Sequence, residues 1–424
     1  MHVQPASPSL PTGTTAPKLP MSPHLVVVLV ALLMGIQPIT TDLYLPALPM
    51  LRGELSASMM QVQLTLTALS LSFGISQLVW GPISDRFGRR PVLLIGLSAY
   101  TVAAFASVLA PHIEALIVCR MVQGAAMGAS VMGARAIVRD LYEPVEGARM
   151  MSKGLSGLGI IACLSAPIGG LITQFSGWRA VLTGVGLFGA LALFMVATRF
   201  QESNTHRNPN ALQARILFSN WRAVASHPTF WAYTSIAAAS YGGLFTFLAT
   251  SSFVFIGVFG VSKIGYGGLM LMMTSSYLCG TFLCRRLIHR LGVVNTVRVG
   301  AAMSLASGLT LIALPLLTQP TVWTTILPFI PFMVGHGVHN PCGQSGAVAP
   351  FPTMAGAASA LNGFIIMAVA FAVGTWIGLS SIDSVYPLTT GIGFWSVCVA
   401  LAAQFLVGRY GEVGTNKPHT QKPA

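Results

Sequence analysis

Long apolar runs broken by short polar intervals dominate the chain, and their length sets the expected architecture. Twelve runs reach about 20 residues or more, enough for an α-helix to cross the hydrocarbon of a bilayer. They predict helices over roughly 24–46, 59–82, 91–110, 114–137, 148–172, 178–198, 228–256, 264–286, 294–314, 322–346, 355–380 and 387–408. Only helices and closed barrels satisfy their backbone polar groups in lipid. The runs are far longer than the ~10-residue alternating strands of a barrel. The expected fold class is therefore all-α: a polytopic membrane protein with twelve transmembrane helices in two pseudo-symmetric six-helix bundles.

The longest polar stretch, 201–227, lies midway. It holds Asn204, Thr205, His206, Arg207, Asn208 and Pro209, then a modest amphipathic segment over 212–224, and reads as a linker on the inner membrane surface. The expected organisation is a flexible cytoplasmic tail over 1–23, an N-terminal bundle over 24–200, the linker over 201–227, a C-terminal bundle over 228–408 and a cytoplasmic tail over 409–424. The first 20 residues are rich in Pro, Ser and Thr with Lys18 as their one charge. With no basic region ahead of the first apolar run and no small-residue cleavage site after it, that run reads as a retained helix. The halves repeat: the first helix starts near 24 and the seventh near 228, and the basic run at Arg86–Arg90 has a counterpart at Arg285–Arg290. Such a repeat suits a transporter that rocks one half against the other.

Composition agrees with lipid as the solvent. Charged residues are 8% of the chain, against about 25% in soluble domains. Hydrophobic residues are 54% and mean hydropathy is +0.72. The net charge of +13 raises the question of nucleic acid, but its distribution answers it. With the N-terminus inside, 19 of the 23 Lys and Arg residues fall on cytoplasmic segments and 3 (Arg52, Arg179, Lys263) on the opposite side, with Arg120 inside a helix. That asymmetry is the positive-inside rule. It places both termini in the cytoplasm and leaves nucleic acid no part. Cys119, Cys163, Cys279, Cys284, Cys342 and Cys398 all fall in or beside apolar runs, without a CxxC or CxxxH neighbour. They read as small buried residues rather than disulfides or metal ligands.

The sharpest local pattern is Gly81-Pro-Ile-Ser-Asp85-Arg86-Phe-Gly88-Arg89-Arg90 between helices two and three. It predicts a tight turn in which Gly81 and Gly88 allow close packing while Asp85 pairs with arginines or caps a helix. An ordinary basic inner loop is the plainer alternative. The run resembles the signature loop of the major facilitator superfamily, G-x-x-x-D-R-x-G-R-R. The resemblance implies a conformational latch made of Gly81, Asp85, Arg86, Gly88, Arg89 and Arg90, with Asp140 after helix four as a further acidic partner.

Further runs narrow the resemblance. Asp42-Leu-Tyr-Leu-Pro-Ala-Leu-Pro49 and Arg120-x-x-Gln123-Gly124 are similar to motifs of the drug:proton antiporters. Gly177-Trp178-Arg179, Ala349-Pro-Phe-Pro352 and the small-residue run 355–361 are similar to the bicyclomycin-resistance (Bcr/CflA) branch. Together they cover the chain from helix one to helix eleven. Helix five departs from the antiporter pattern G-P-x-x-G-G: here it reads Ala166-Pro167-Ile168-Gly169-Gly170. Ala162, Ala166 and Gly170 still make an i, i+4, i+8 small stripe for close helix approach.

Among candidate chemical groups, Asp42 and Arg120 are the charges well within predicted spans, where charge is costly and tends to be functional. A carboxyl group withdrawn from water can load and release a proton; the alternative is a carboxylate that caps or snorkels near the outer face. Arg120 needs an anion, carbonyl oxygens or water beside it. Competition between it, a proton and cargo for Asp42 is one reading, and a tether to backbone carbonyls is the other. His336 and His339 share a helical face as cavity-lining or packing groups, with proton relay and then metal binding as weaker alternatives. Candidate cavity residues are Gln37, Tyr44, Gln123, Met127, Phe245, Met273, Tyr277, His336 and Asn340, and Met270, Met272 and Phe247 could extend a soft apolar lining.

No G-x-x-x-x-G-K-[ST] phosphate loop occurs and no segment is long enough for a soluble ATPase domain, so an ion gradient is the expected energy source. The resemblance implies proton-coupled efflux of small amphipathic drug-like compounds by a multi-pass protein of the bacterial inner membrane, working as a monomer with no cofactor or metal. Transport of an amino-acid-like metabolite is the alternative. A membrane enzyme using the paired histidines is disfavoured by the lack of an intramembrane Asp/Glu cluster.

Overall fold

The computed structural model describes residues 21–205, 207–380 and 384–411. Most of both expected tails, with Lys18, Lys417 and Lys422, and also His206 lie outside the described residues. Among the described residues, nine helices are long and apolar enough to cross a membrane. Two of these run for 55 residues, and each is broken once, at Gly177 (φ +74°) and at Gly292 (φ +73°). A further span carries His336, His339, Asn340 and Gln344 and is too polar to count among the nine. The result is twelve transmembrane helices.

They are α1 (Pro23–Thr41), α2 (Met59–Phe87), α3 (Arg89–Val108), α4 (Ile113–Leu141), α5 and α6 (Pro144–Arg199, divided at Gly177), α7 (Pro228–Ser252), α8 and α9 (Lys263–Leu317, divided at Gly292), α10 (Ile330–Val348), α11 (Ala355–Leu379) and α12 (Tyr386–Leu401). An amphipathic helix, Ala214–Ala225, connects the halves.

Local chemistry explains where these helices differ from the expected bounds. α1 ends at Thr41, not near 46, with the Asp42 N–H bonded to the Pro38 carbonyl at 2.8 Å. Pro46 would press its ring on the carbonyl four residues back, that of Asp42. The chain instead turns through Leu45–Ala47 into a short helix, Leu48–Glu54. α2 runs to Phe87 rather than 82, so the expected turn shrinks to the single residue Gly88. Similarly, the basic run Arg285–Arg290 is helical and the break waits for Gly292. The expected tenth helix is split by Leu327–Phe329, where Pro328 interrupts it.

Within the N-terminal half α2 packs on α4, α1 on α5, and α3 on α4 and α6; within the C-terminal half α8 packs on α10, α9 on α12, and α7 on α10, α11 and α12. The halves meet along α2–α11 and α5–α8. Away from the arginine-rich end they meet backbone to backbone: a Cβ on Gly267 would stand 2.8 Å from the Pro167 Cα, and Gly170 abuts the Lys263 carbonyl. There too Gln63 Nε2 donates to the Ala249 carbonyl oxygen at 2.7 Å. Toward the arginine-rich end α2 and α11 stay close, with Gln77 against Gly363, and Arg135 Nη1 reaches Ser359 Oγ at 3.0 Å.

Candidate functional site

A cavity of about 190 Å³ opens between the halves, walled by α1, α5, α7, α8 and α10. Among the described residues, Asp42 is the one acidic or basic side chain on its wall besides His336. It sits where α1 ends, and its Oδ1 accepts from Thr41 Oγ1 at 2.8 Å. Around it stand Gln37, Thr41, Tyr241, Tyr277, His336 and Asn340 as polar groups, with Met270, Met273, Met333 and Phe247 as soft apolar ones. A chain of hydrogen bonds stiffens the C-terminal wall: Asn340 Nδ2 donates to Tyr277 Oη at 3.1 Å, and Gln344 Nε2 donates to Asn340 Oδ1 at 2.6 Å. His336 faces the cavity from behind which Ser240 Oγ contacts both His336 Nδ1 (2.9 Å) and His339 Nδ1 (3.3 Å).

Of the expected cavity residues, Gln37, Met273, Tyr277, His336 and Asn340 line the wall, while Tyr44, Gln123, Met127 and Phe245 stand off it. The first two of these serve Arg120. Fully buried on α4, Arg120 donates from Nη2 to the Thr40 carbonyl oxygen at 2.8 Å, from Nε to that of Thr65 at 3.3 Å, and from Nη1 to Gln123 Oε1 at 2.8 Å. Its guanidinium stacks over the Tyr44 ring at 4.5 Å. Here the arginine is tethered to carbonyls, and no ion pair joins it to Asp42 among the described residues. Met127 is packed in the N-terminal core, and Phe245 stacks behind Tyr241. Ala162 lines the cavity, while Ala166, Pro167, Gly169 and Gly170 form the close contacts of α5 with α8 and with Leu43.

The arginine-rich end carries a second constellation. Arg89, 4% exposed, forks its Nε and Nη2 onto Asp140 at 2.7 and 3.3 Å and sends Nη1 to Asp85 at 2.6 Å. Such forked pairs are the strong class of charged hydrogen bond. Glu202, at the start of the linker, accepts from the backbone N–H groups of Arg89 (2.8 Å) and Arg90 (3.0 Å). It neutralises the first turn of α3, where unpaired N–H groups concentrate. Ser203 Oγ donates to Asp140, and Arg90 reaches the carbonyls of Phe200 and Ala197. Two expected members do less: Arg86 lies over the Phe87 ring, and a Cβ on Gly81 would meet nothing closer than 3.9 Å.

Residues 30–375 match the family model described as Major Facilitator Superfamily. The chain belongs to this superfamily. It is 30% identical over 389 residues, 92% of this chain and 97% of the relative, to the bicyclomycin resistance protein homolog of Haemophilus influenzae. It is 28% identical over 395 residues, 93% and 97% of the two chains, to multidrug resistance protein D of Escherichia coli. These relatives place it in the bicyclomycin-resistance branch of a superfamily of transporters, not enzymes. Its fold is similar to that of the xylose transporter XylE from E. coli in a partially occluded inward open conformation, with a TM-score of 0.68 at 14% identity over 92% of this chain and 98% of that one.

Within the superfamily frame, the residues that sequence reading missed are the ones without a motif of their own. Glu202 and Ser203 belong to the linker, where an acid beside two half-bundles carries no spacing signal. Ser240 and Tyr241 sit in an apolar helix with small and aromatic neighbours that look like core. Cys279, expected to be buried, is exposed, because its position on α8 turns it to the outer surface of the bundle.

Proposed function

We propose that this transporter exports small neutral or singly cationic amphipathic compounds in exchange for protons, by alternating access through the cavity between its halves. The observation that carries the reading is Asp42, the one carboxyl group among the described residues on a wall rich in methionine, tyrosine and phenylalanine. Methionine and aromatic surfaces adapt to varied ligands, and one carboxyl group can be occupied by a proton or face a cargo's positive end, not both. The names of the relatives, bicyclomycin resistance homolog and multidrug resistance protein, support the same cargo class.

By the positive-inside rule the arginine-rich end faces the cytoplasm of a bacterial inner membrane, and both termini with it. The backbone contacts at the opposite end then close the outer side. Pro341, Gln344 and Ser345 on α10 are exposed toward the inner side, as expected of an inward-facing state. Cargo enters there while Asp42 releases its proton inward; the halves rock, and a proton from outside takes the place of the cargo. For a neutral cargo exchanged one for one with a proton, a membrane potential supplies about 2.3 kcal/mol per 100 mV, or about 1.7 decades of concentration. Exchange with a singly cationic cargo is electroneutral and draws on the proton concentration gradient. One chain encloses the whole pathway, so a monomer suffices.

The test is cargo-triggered proton movement in inverted vesicles, wild type against Asp42→Asn, over a panel of antibiotics. Proton release from acidified wild-type vesicles on adding a compound, absent in Asp42→Asn, supports the reading. A wild-type protein that binds none of the panel and moves no protons refutes it and favours a narrow amino-acid-like metabolite.

A further inference from the structure

The helices α8 and α10 touch backbone to backbone. A Cβ on Gly337 would stand 2.8 Å from the Gly280 Cα, and one on Gly280 would stand 2.9 Å from the Val334 Cα. One turn nearer the arginine-rich end, this approach sets Cys284 beside Cys342 with their sulfurs 3.5 Å apart. Both are buried, 3% and 2% exposed, in an apolar core with Val297, Ala301 and Val338. The Cys284 thiol also faces the Val338 carbonyl oxygen at 3.9 Å. Sequence reading makes these cysteines inert packing residues; the geometry gives them a partner.

We propose that Cys284 and Cys342 are a modification site, a dithiol that a peroxide converts into a reversible disulfide between α8 and α10. One thiol sulfur attacks the peroxide, the O–O bond breaks, and a sulfenic acid and one water form. The second sulfur attacks the sulfenic sulfur, the S–S bond forms, the S–O bond breaks, and the hydroxyl leaves with the remaining thiol proton as a second water. Two thiols are oxidised and one peroxide is reduced to two waters. A disulfide needs sulfurs about 2.0 Å apart, so closure shortens the present contact by about 1.5 Å. Side-chain rotation supplies most of that, because the glycines have already brought the backbones together.

The bond has a mechanical consequence. Pro341, immediately before Cys342, cannot donate to the carbonyl four residues back, which leaves a weak point in α10. Beyond it lies the inner end of the helix, where Gln344 and Ser345 are exposed while Gly343 and Gly346 pack on α7. A disulfide at Cys342 ties that end to α8 and fixes the register on which the Asn340–Tyr277 hydrogen bond of the cavity wall depends. The site and its effect on α10 do not require that the cargo or the coupling ion be the ones proposed above.

The experiment uses the full-length protein in lipid nanodiscs, reduced and then exposed to hydrogen peroxide. Non-reducing peptide mapping should join Cys284 to Cys342 within one chain, and amide exchange over 342–348 should slow several-fold, both reversed by dithiothreitol. Cys284→Ser and Cys342→Ser should each abolish the link and the slowing; the wild-type measurement stands should either variant fold poorly. Wild-type protein in which the exposed Cys279 is oxidised while Cys284 and Cys342 stay unlinked overturns the proposal. A link that leaves exchange over 342–348 unchanged overturns the restraint on α10.

Discussion

The guanidinium of Arg120 holds the carbonyl oxygen of Thr40 at 2.8 Å, two residues before Asp42 and at the point where α1 stops being helical. The buried charge of α4 thus positions the segment that carries the cavity carboxylate instead of pairing with it. Lysine in its place would keep the charge but lose the planar fork that reaches Thr40, Thr65 and Gln123 together. Each buried acceptor left without a donor costs about 1–3 kcal/mol. Thermal unfolding in detergent should therefore show a lower midpoint for Arg120→Lys and a lower one still for Arg120→Ala. A wild-type midpoint in Arg120→Ala would mean that these contacts carry no stability.

Arg89 should be coupled energetically to Asp140. Removing either leaves the other in a site where Arg89 is 4% and Asp140 14% exposed, at a cost of about 2–3 kcal/mol once the partial exposure is allowed for. A double-mutant cycle with Arg89→Ala and Asp140→Ala, read by unfolding in detergent, should return a coupling of about 1–3 kcal/mol. Strict additivity would reduce the constellation to surface charge.

Gly88 is held at φ +103° and ψ 163°, and a Cβ there would stand 2.6 Å from Glu202 Oε2. That backbone region is nearly closed to other residues and costs about 1–3 kcal/mol to impose. Gly88→Ala should lower the unfolding midpoint and free the linker, exposing Ser203→Cys to a water-soluble maleimide. Unchanged labelling in Gly88→Ala would separate the glycine from the placement of the linker.

Gln63 joins the halves at the end opposite the arginines through its bond to the Ala249 carbonyl. Gln63→Leu deletes a hydrogen bond worth about 0.5–1.5 kcal/mol that exists only while that end is closed. The equilibrium should shift toward opening there by roughly 2- to 12-fold. Outer-side labelling of Met50→Cys, beside Lys263 of the other half, should rise accordingly; equal labelling with and without Gln63→Leu would rule the bond out as a gate.

Much of the architecture was legible along the chain because lipid imposes it residue by residue. A span needs about 20 apolar residues whatever it packs against, so the twelve passages are a local property of composition. The superfamily was legible for a related reason: a run such as Gly81 to Arg90 concentrates its chemistry within ten consecutive positions. Helix ends were less so, since Pro46, Gly88 and Gly292 act over single residues inside otherwise continuous apolar stretches.

The site was legible in its members and not in its pairings. Asp42 and Arg120 stand out because buried charge is expensive, yet nothing in the order of residues says that Arg120 turns to the carbonyls of Thr40 and Thr65 while Asp42 opens onto a cavity that Tyr241 and His336 also line. Glu202 on the α3 N-terminus, Ser240 between two histidines and Cys284 against Cys342 join positions 58 to 113 residues apart. The sequence by itself determined how many times the chain crosses the membrane and which ionisable residues stand within the spans. Only the tertiary structure decided which of those groups meet, because a hydrogen bond or a sulfur contact depends on distances of about 3–4 Å that helix packing sets and local composition does not.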